Sequence, residues 1–174
     1  SAPSWSSFGH DLNNTRANAQ ETAFNGSHNL SVLWNVSLGG AITGTPAVVK
    51  GVLYVGTWKG HFFAVNASTG AKIWDFSVGR PVDSSPAVSG GLVYFGDSGA
   101  VLHALNTTTG VQAWSTLTDS VAQAHSWGSP SVARGLVVIG VASDQECTCY
   151  TGALTFRGST GPYHPPTGAP AVAT

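Results

Sequence analysis

An all-β fold, a partial β-propeller of about three four-stranded blades in an incomplete ring, is predicted by three observations. Trp34, Trp74 and Trp114 recur at intervals of 40 residues, and so do their surroundings. The stretch from Ala64 to Trp74 (AVNASTGAKIW) returns from Ala104 to Trp114 as ALNTTTGVQAW. Short apolar runs alternate with Gly and Ser/Thr-Gly turns, and no helical period is sustained. A strand-rich repeat of about 40 residues is the length of one propeller blade.

Each element follows from that repeat. Residues 1–31 are polar with few strand signals and read as an N-terminal arm. Repeats are expected over 32–159, with strands near 32–38, 46–49, 52–57, 61–66, 71–78, 85–89, 91–97, 100–106, 111–117, 129–133 and 136–142. The runs from Val52 to Gly56 and from Leu92 to Gly96 are nearly all apolar, as strands buried on both faces are. Pro46-Ala47-Val48 returns as Pro86-Ala87-Val88 and, more loosely, as Pro130-Ser131-Val132. Another short strand is expected at Leu154-Thr155-Phe156. Residues 160–174 are rich in Pro and Gly and read as a tail, because proline denies a strand its backbone donors.

Bulk composition narrows the function. Only 9% of residues are charged and the net charge is -1. Nucleic acid needs a basic footprint, which this chain lacks. No stretch reaches the roughly 18–20 apolar residues of a membrane span. Three units do not close a ring, so apolar flanks should remain and seek cover. Self-association through the end blades is the expected partner interaction.

Asparagine placement points to a compartment. The chain has eight Asn, and 37 of its 174 residues are Ser or Thr. Chance gives roughly 1.7 matches to the glycosylation pattern Asn-x-Ser/Thr. Six occur, at Asn13, Asn25, Asn29, Asn35, Asn66 and Asn106. Asn66 and Asn106 hold the same turn in successive repeats. The expected protein is therefore secreted or extracellular (periplasmic in a bacterium) and carries N-glycans, whose hydration offsets the missing charge.

The signature Ala-x-Asn-x-x-Thr-Gly-x-x-x-Trp resembles the repeats of pyrroloquinoline-quinone (PQQ) dehydrogenase propellers, where Asp usually stands in place of Asn66 and Asn106. The segment from Trp5 to Asn18 (WSSFGHDLNNTRAN) and Phe156-Arg157-Gly158-Ser159 are similar to pieces of polyvinyl-alcohol-dehydrogenase-like quinoproteins. The resemblance covers roughly residues 5–159 and implies an N-terminal part of such an enzyme. By themselves Cys147 and Cys149 read as a structural disulfide, bridges to partner chains or free thiols; the resemblance implies a cofactor contact for them and an anion contact for Arg157. Relatives carry adjacent cysteines, whereas Thr148 intervenes here. No Cys-x-x-Cys-His haem site is present. PQQ and calcium are implied for a complete quinoprotein, and neither is expected for this chain alone. No catalytic residue and no metal ligand set is assigned. Asp11, Asp83, Asp97, Asp119 and Asp144 are scattered rather than gathered in one calcium loop. Trp58 and Trp127 break the repeat and are the better ligand-facing tryptophans. The six His read as surface or strand-edge residues, with His125 placed to line the central mouth.

Two functions compete at this point. One is a non-catalytic secreted assembly module, forming rings or fibrils. The other is the N-terminal portion of a PQQ-dependent alcohol or polyvinyl-alcohol dehydrogenase.

Overall fold

A computed structural model describes residues 4–18, 31–120, 124–143 and 159–171. Three antiparallel sheets stand side by side. The first holds β1 (Ala47–Val49), β2 (Val52–Gly56), β3 (His61–Asn66) and β4 (Lys72–Ser77), in that order. The second repeats it with β5 (Ala87–Ser89), β6 (Leu92–Gly96), β7 (Val101–Asn106) and β8 (Gln112–Leu117). The third runs β10 (Ser131–Ala133), β11 (Leu136–Ser143), β12 (Ser159–Tyr163), with β9 (Ala124–His125) pairing the far end of β11.

The repeat reaches into backbone detail. The first two strands of each unit join through a two-residue turn at Lys50-Gly51, Gly90-Gly91 and Arg134-Gly135, with φ positive at every one of these residues. That is the mirror-image turn whose twist matches a hairpin. A register shift falls at Ala64/Val65 and again at Ala104/Leu105. β1 lies beside β5, and β5 beside β10, so the first strands are innermost. The arm runs along them: Trp5 exchanges backbone hydrogen bonds with Val48 (2.6 and 2.7 Å), and the Ser6 carbonyl accepts from the Val88 N–H (2.8 Å).

The core lies between sheets. Tyr54, Phe62, Val82, Val93, Phe95 and Leu105 fill the first seam. Phe62 and Phe95 stack there at 3.9 Å, nearly parallel. Tyr94, Leu102, Trp114, Val137, Ile139 and Tyr163 fill the second seam. The fourth strands of the first two units, β4 and β8, lean over the next unit and keep four of their six residues exposed.

Two expectations, for residues 32–38 and 160–163, are revised. Residues 32–38 carry no strand pairing. Their alternation survives, and Trp34, Val36 and Leu38 pack on Val55, Phe63 and Val65 of the first sheet. The segment has the pattern of an outer strand, but no strand partner among the described residues. The third sheet is not a copy of the others, because its fourth strand is β9 rather than an outer strand bearing a tryptophan. Residues 160–163, read as the start of a tail, lie in β12 and pair with β11 from Gly140 to Val137. Pro162 fits because its missing N–H is needed on neither side: it faces Val138 in register, and its carbonyl accepts from Ala171 (2.8 Å). The strand expected at 154–156 lies outside the described residues.

Candidate functional site: the loop face of the sheets

The turns inside each unit and the links between units meet at one end of the sheets. Trp58 N–H donates to the Ala41 carbonyl (2.9 Å), and Ser98 N–H to Pro81 (2.9 Å), one unit later. Val82 N–H donates to Thr57 (3.1 Å), and Ser126 N–H to Asp97 (3.3 Å). These bonds tie each link to the turn beneath it and make a shared face around the inner strands.

Two hydroxyl contacts run around that face in one direction. The Thr45 N–H donates to Ser85 Oγ (2.8 Å), and the Ser85 N–H to Ser129 Oγ (3.1 Å). Each is the residue before the repeated proline. Ser84 Oγ bridges both backbone groups of Gly96, at 2.8 and 2.9 Å. A side chain at Gly44 would strike the Ser84 carbonyl at 2.7 Å, so glycine lets the first link lie against the second.

The ionisable groups form pairs rather than a cluster. His125 Nε2, in the link before the third unit, and Asp83 Oδ2, in the link before the second, lie 2.8 Å apart, and both side chains are nearly buried. The second carboxylate oxygen, Asp83 Oδ1, is buried with no hydrogen-bond partner, as is Ser126 Oγ. Trp127 packs beside His125 at 4.8 Å and stays 42% exposed. Trp58 is 52% exposed and donates its indole N–H to Thr43 Oγ1 (2.9 Å). Both out-of-register tryptophans therefore open to solvent on this face.

Asp97 is deeper. Its Oδ1 accepts from the Gly99 and Val101 N–H groups (2.8 and 3.1 Å), and its Oδ2 meets His103 Nε2 (2.9 Å). Burial alone pushes its carboxyl up. The hydrogen bonds from His103, Val101 and Gly99 and the His103 charge outweigh that and hold it below the ordinary carboxylate range. His103 stacks on Phe95 at 5.0 Å. His103 and His125, expected at the surface or strand edges, are thus buried and paired with acids, which a list of positions does not reveal.

Other sequence candidates are dispersed. Asp11 caps its own turn through Thr15 and Asn13, and Asp119 accepts from Ser159 Oγ (2.7 Å). Cys147, Cys149, Arg157, Asp144, Asn25 and Asn29 lie outside the described residues. Asn13, Asn35 and Asn106 are exposed, and Asn66 is half-buried. Among the described residues no three or more His, Cys, Asp or Glu gather as a metal site.

The repeat tryptophans glue units together. The Trp34 indole N–H donates to the Ala67 carbonyl (2.8 Å), Trp74 to Thr107 (3.0 Å), and Trp114 to Pro165. Each ring lies against a glycine of the same turn: Gly70, Gly110 and Gly168, all at positive φ. The family model described as outer membrane protein assembly factor BamB, a PQQ-repeat model, matches residues 28–155.

The chain belongs to this PQQ-repeat family.

Solved propellers of the same type superpose on it. Quinohemoprotein alcohol dehydrogenase from Comamonas testosteroni is 26% identical, with a TM-score of 0.78 over 97% of this chain and 26% of that one. The ADHIIG enzyme of Pseudomonas putida HK5, also a quinohemoprotein alcohol dehydrogenase, is 24% identical, with a TM-score of 0.76 over the same shares. A europium-containing methanol dehydrogenase is 20% identical, with a TM-score of 0.77 over 97% of this chain and 31% of that one. The chain therefore spans about a quarter to a third of the length of these enzymes. No curated protein matches it significantly. The described residues contain no helix long and apolar enough to cross a membrane.

Proposed function

We propose that this chain is a secreted, N-glycosylated scaffold segment of a quinoprotein-type propeller, without catalysis of its own, that works by joining its open flanks to further blade units. One observation carries this reading. The seam contacts have a direction: each unit donates N–H groups to the hydroxyl and turn carbonyl of the next. Among the described residues, Ser129 N–H meets no fourth hydroxyl, and Thr45 Oγ1 accepts from no preceding unit. Val32 and Leu33, 84% and 76% exposed, stand on the flank beside the first sheet. Light scattering of the purified chain tests the proposal. A mass at a multiple of the monomer, lowered by Leu33→Asp, is expected; a monodisperse monomer at tens of micromolar is the result that sinks it.

A second reading has its own support. Asp83, His125, Ser126, Trp58 and Trp127 share the loop face, with two buried polar atoms unpartnered. This suits the first part of an alcohol dehydrogenase in which a substrate hydroxyl loses its proton to a base and hydride passes to a quinone. The described residues do not by themselves fit PQQ or calcium. A polycarboxylate quinone calls for converging cations, whereas the orphan group here is itself a carboxylate, and calcium calls for several oxygens at one point. Binding of either is thus assigned to the complete ring. Quinone titration followed by fluorescence of the exposed tryptophans separates the readings. Stoichiometric uptake by this chain with alcohol-dependent dye reduction favours the enzyme.

A further inference from the structure

We infer that Asn66 and Asn106 are the paired N-glycan acceptors of the repeat, and that the Asn106 glycan stands at the rim of the cleft between the first two sheets. The inference rests on the secretory reading above and adds which asparagines are used and what the sugar adjoins.

The two turns are built alike. Asn66 Oδ1 accepts from the Ser68 and Thr69 N–H groups at 2.9 and 3.0 Å, and Asn106 Oδ1 from Thr108 and Thr109 at 2.9 and 3.0 Å. The carboxamide oxygen is thus committed inward, and the amide nitrogen is the end left to take a sugar. The hydroxyl residue two places on, Ser68 or Thr108, is exposed in both turns.

The fold does not demand asparagine here. An aspartate would accept the same two N–H groups with stronger, charge-assisted bonds. The third unit solves the same turn differently. At 164–168 the backbone bonds recur: His164 N–H to Ala169, and Gly168 N–H to His164. They match Asn66 to Ala71 and Gly70 to Asn66. There, however, Pro166 replaces Ser68 and removes the donor that the asparagine capped, while the Thr167 N–H turns to the His164 carbonyl (3.1 Å). The turn persists where the acceptor pattern is gone, so pattern and turn are separable.

Placement makes attachment tolerable. The Trp74 ring and its indole bond engage Gly110 and the Thr107 carbonyl, not the Asn106 side chain. Thr107 and Thr108 line a cleft of about 500 Å³ with Val49, Val52, Tyr54 and Val88. Ile73, 48% exposed, lies on the same cleft. A hydrated sugar at Asn106 therefore borders one of the more apolar openings of the molecule. These turns lie at the opposite end of the sheets from the loop face, which stays clear. The group transfer joins the asparagine amide nitrogen to C1 of a lipid-diphosphate oligosaccharide; the amide loses a proton and the lipid diphosphate leaves.

The test is peptide mapping of the chain secreted from a eukaryotic host, with glycans released by amidase in 18O water so that each used asparagine reads as labelled aspartate. Label at most copies of both Asn66 and Asn106 is expected. Either one found mostly unmodified overturns the inference. Label confined to Asn13, Asn25, Asn29 or Asn35 does so while leaving the secretory reading standing, and no label anywhere overturns both. Asn106→Asp keeps the turn cap and Thr108→Ala keeps the asparagine. Each should lose one glycan by gel shift.

Discussion

Replacing Gly110 by alanine isolates the tryptophan dock from ordinary turn strain. At φ +72° an L residue costs about 1–2 kcal/mol relative to glycine. A Cβ would also lie 2.7 Å from Trp74 Cδ2 and 2.9 Å from Cε3. Carbon atoms rest at about 3.5–4.0 Å, so the ring must retreat by about 1 Å. The indole N–H now sits 3.0 Å from the Thr107 carbonyl, and that retreat takes it out of hydrogen-bond reach. Losing the bond costs about 1 kcal/mol, and forced repacking about 1–3 more. The expected total is about 3–6 kcal/mol. Gly51→Ala is the control, because φ is +76° there and nothing lies within 4 Å of the added carbon. It should cost only about 1–2 kcal/mol. Urea unfolding followed by tryptophan fluorescence measures both, and a slope of about 1–3 kcal/mol per molar places the Gly110→Ala midpoint about 1 M or more below the control. Equal losses in the two variants would refute the claim that the tryptophan, rather than the turn, holds the seam.

Three further outcomes follow from the seams and the buried pairs. Ser85→Ala removes the acceptor of the Thr45 N–H (2.8 Å) and should cost about 1 kcal/mol in the same assay; an unchanged midpoint would show that water replaces the hydroxyl freely. Asp97 is held below its unfolded value of about 3.9, so its stabilisation is fully present above that pH and drains away as pH falls through the folded pKa. Asp97→Asn should flatten that part of the urea-midpoint profile while lowering the plateau, and a profile parallel to wild type would remove Asp97 as its source. A double-mutant cycle on the third turn tests the cap: Pro166→Ser restores an N–H without an acceptor, and adding His164→Asn should recover about 1 kcal/mol. Strict additivity in thermal unfolding would show that the side-chain cap is idle there.

Much of the fold was legible because the repeat writes the same solution twice. Trp74 and Trp114 mark the fourth strand of two units, and the Thr-Gly after Asn66 and Asn106 marks the turn each seam requires. The third such turn was illegible. His164-Pro165-Pro166-Thr167-Gly168 shares only Thr-Gly with its counterparts, and its prolines read as strand breakers. In space the turn tolerates them: Pro166 removes the N–H that an asparagine caps in the other units, and Pro165 gives up the bond that Ala67 and Thr107 make to Gly51 and Gly91. Residues 32–38 misled in the opposite direction: their alternation is that of a strand, yet strand identity depends on a partner, and the pattern cannot report whether one is present. The loop face was the least readable. Asp83 and His125 are 42 residues apart and meet only because consecutive links pack against each other, and Asp97 and His103 meet across a hairpin. Trp58 and Trp127 drew notice only because both stand outside the repeat.

The direction of the seams limits how any association through the flanks can proceed. The first two units carry their donors, an indole N–H and a backbone N–H, toward one side. They carry their acceptors, a turn carbonyl and a serine or threonine hydroxyl, toward the other. A two-fold contact brings identical flanks together and would set donor against donor and tryptophan edge against tryptophan edge. Neither the glycine dock nor the hydroxyl ladder could then form. A head-to-tail contact extends the hydroxyl ladder already made twice inside the chain, from Ser129 to a Thr45, while the first unit's tryptophan dock at Ala67 and Gly70 is already filled by Trp34. Such heterologous contacts close into a ring when the angle per unit divides a full turn and otherwise continue as a filament. The same asymmetry that orders three units within one polypeptide therefore dictates the geometry of whatever continues them.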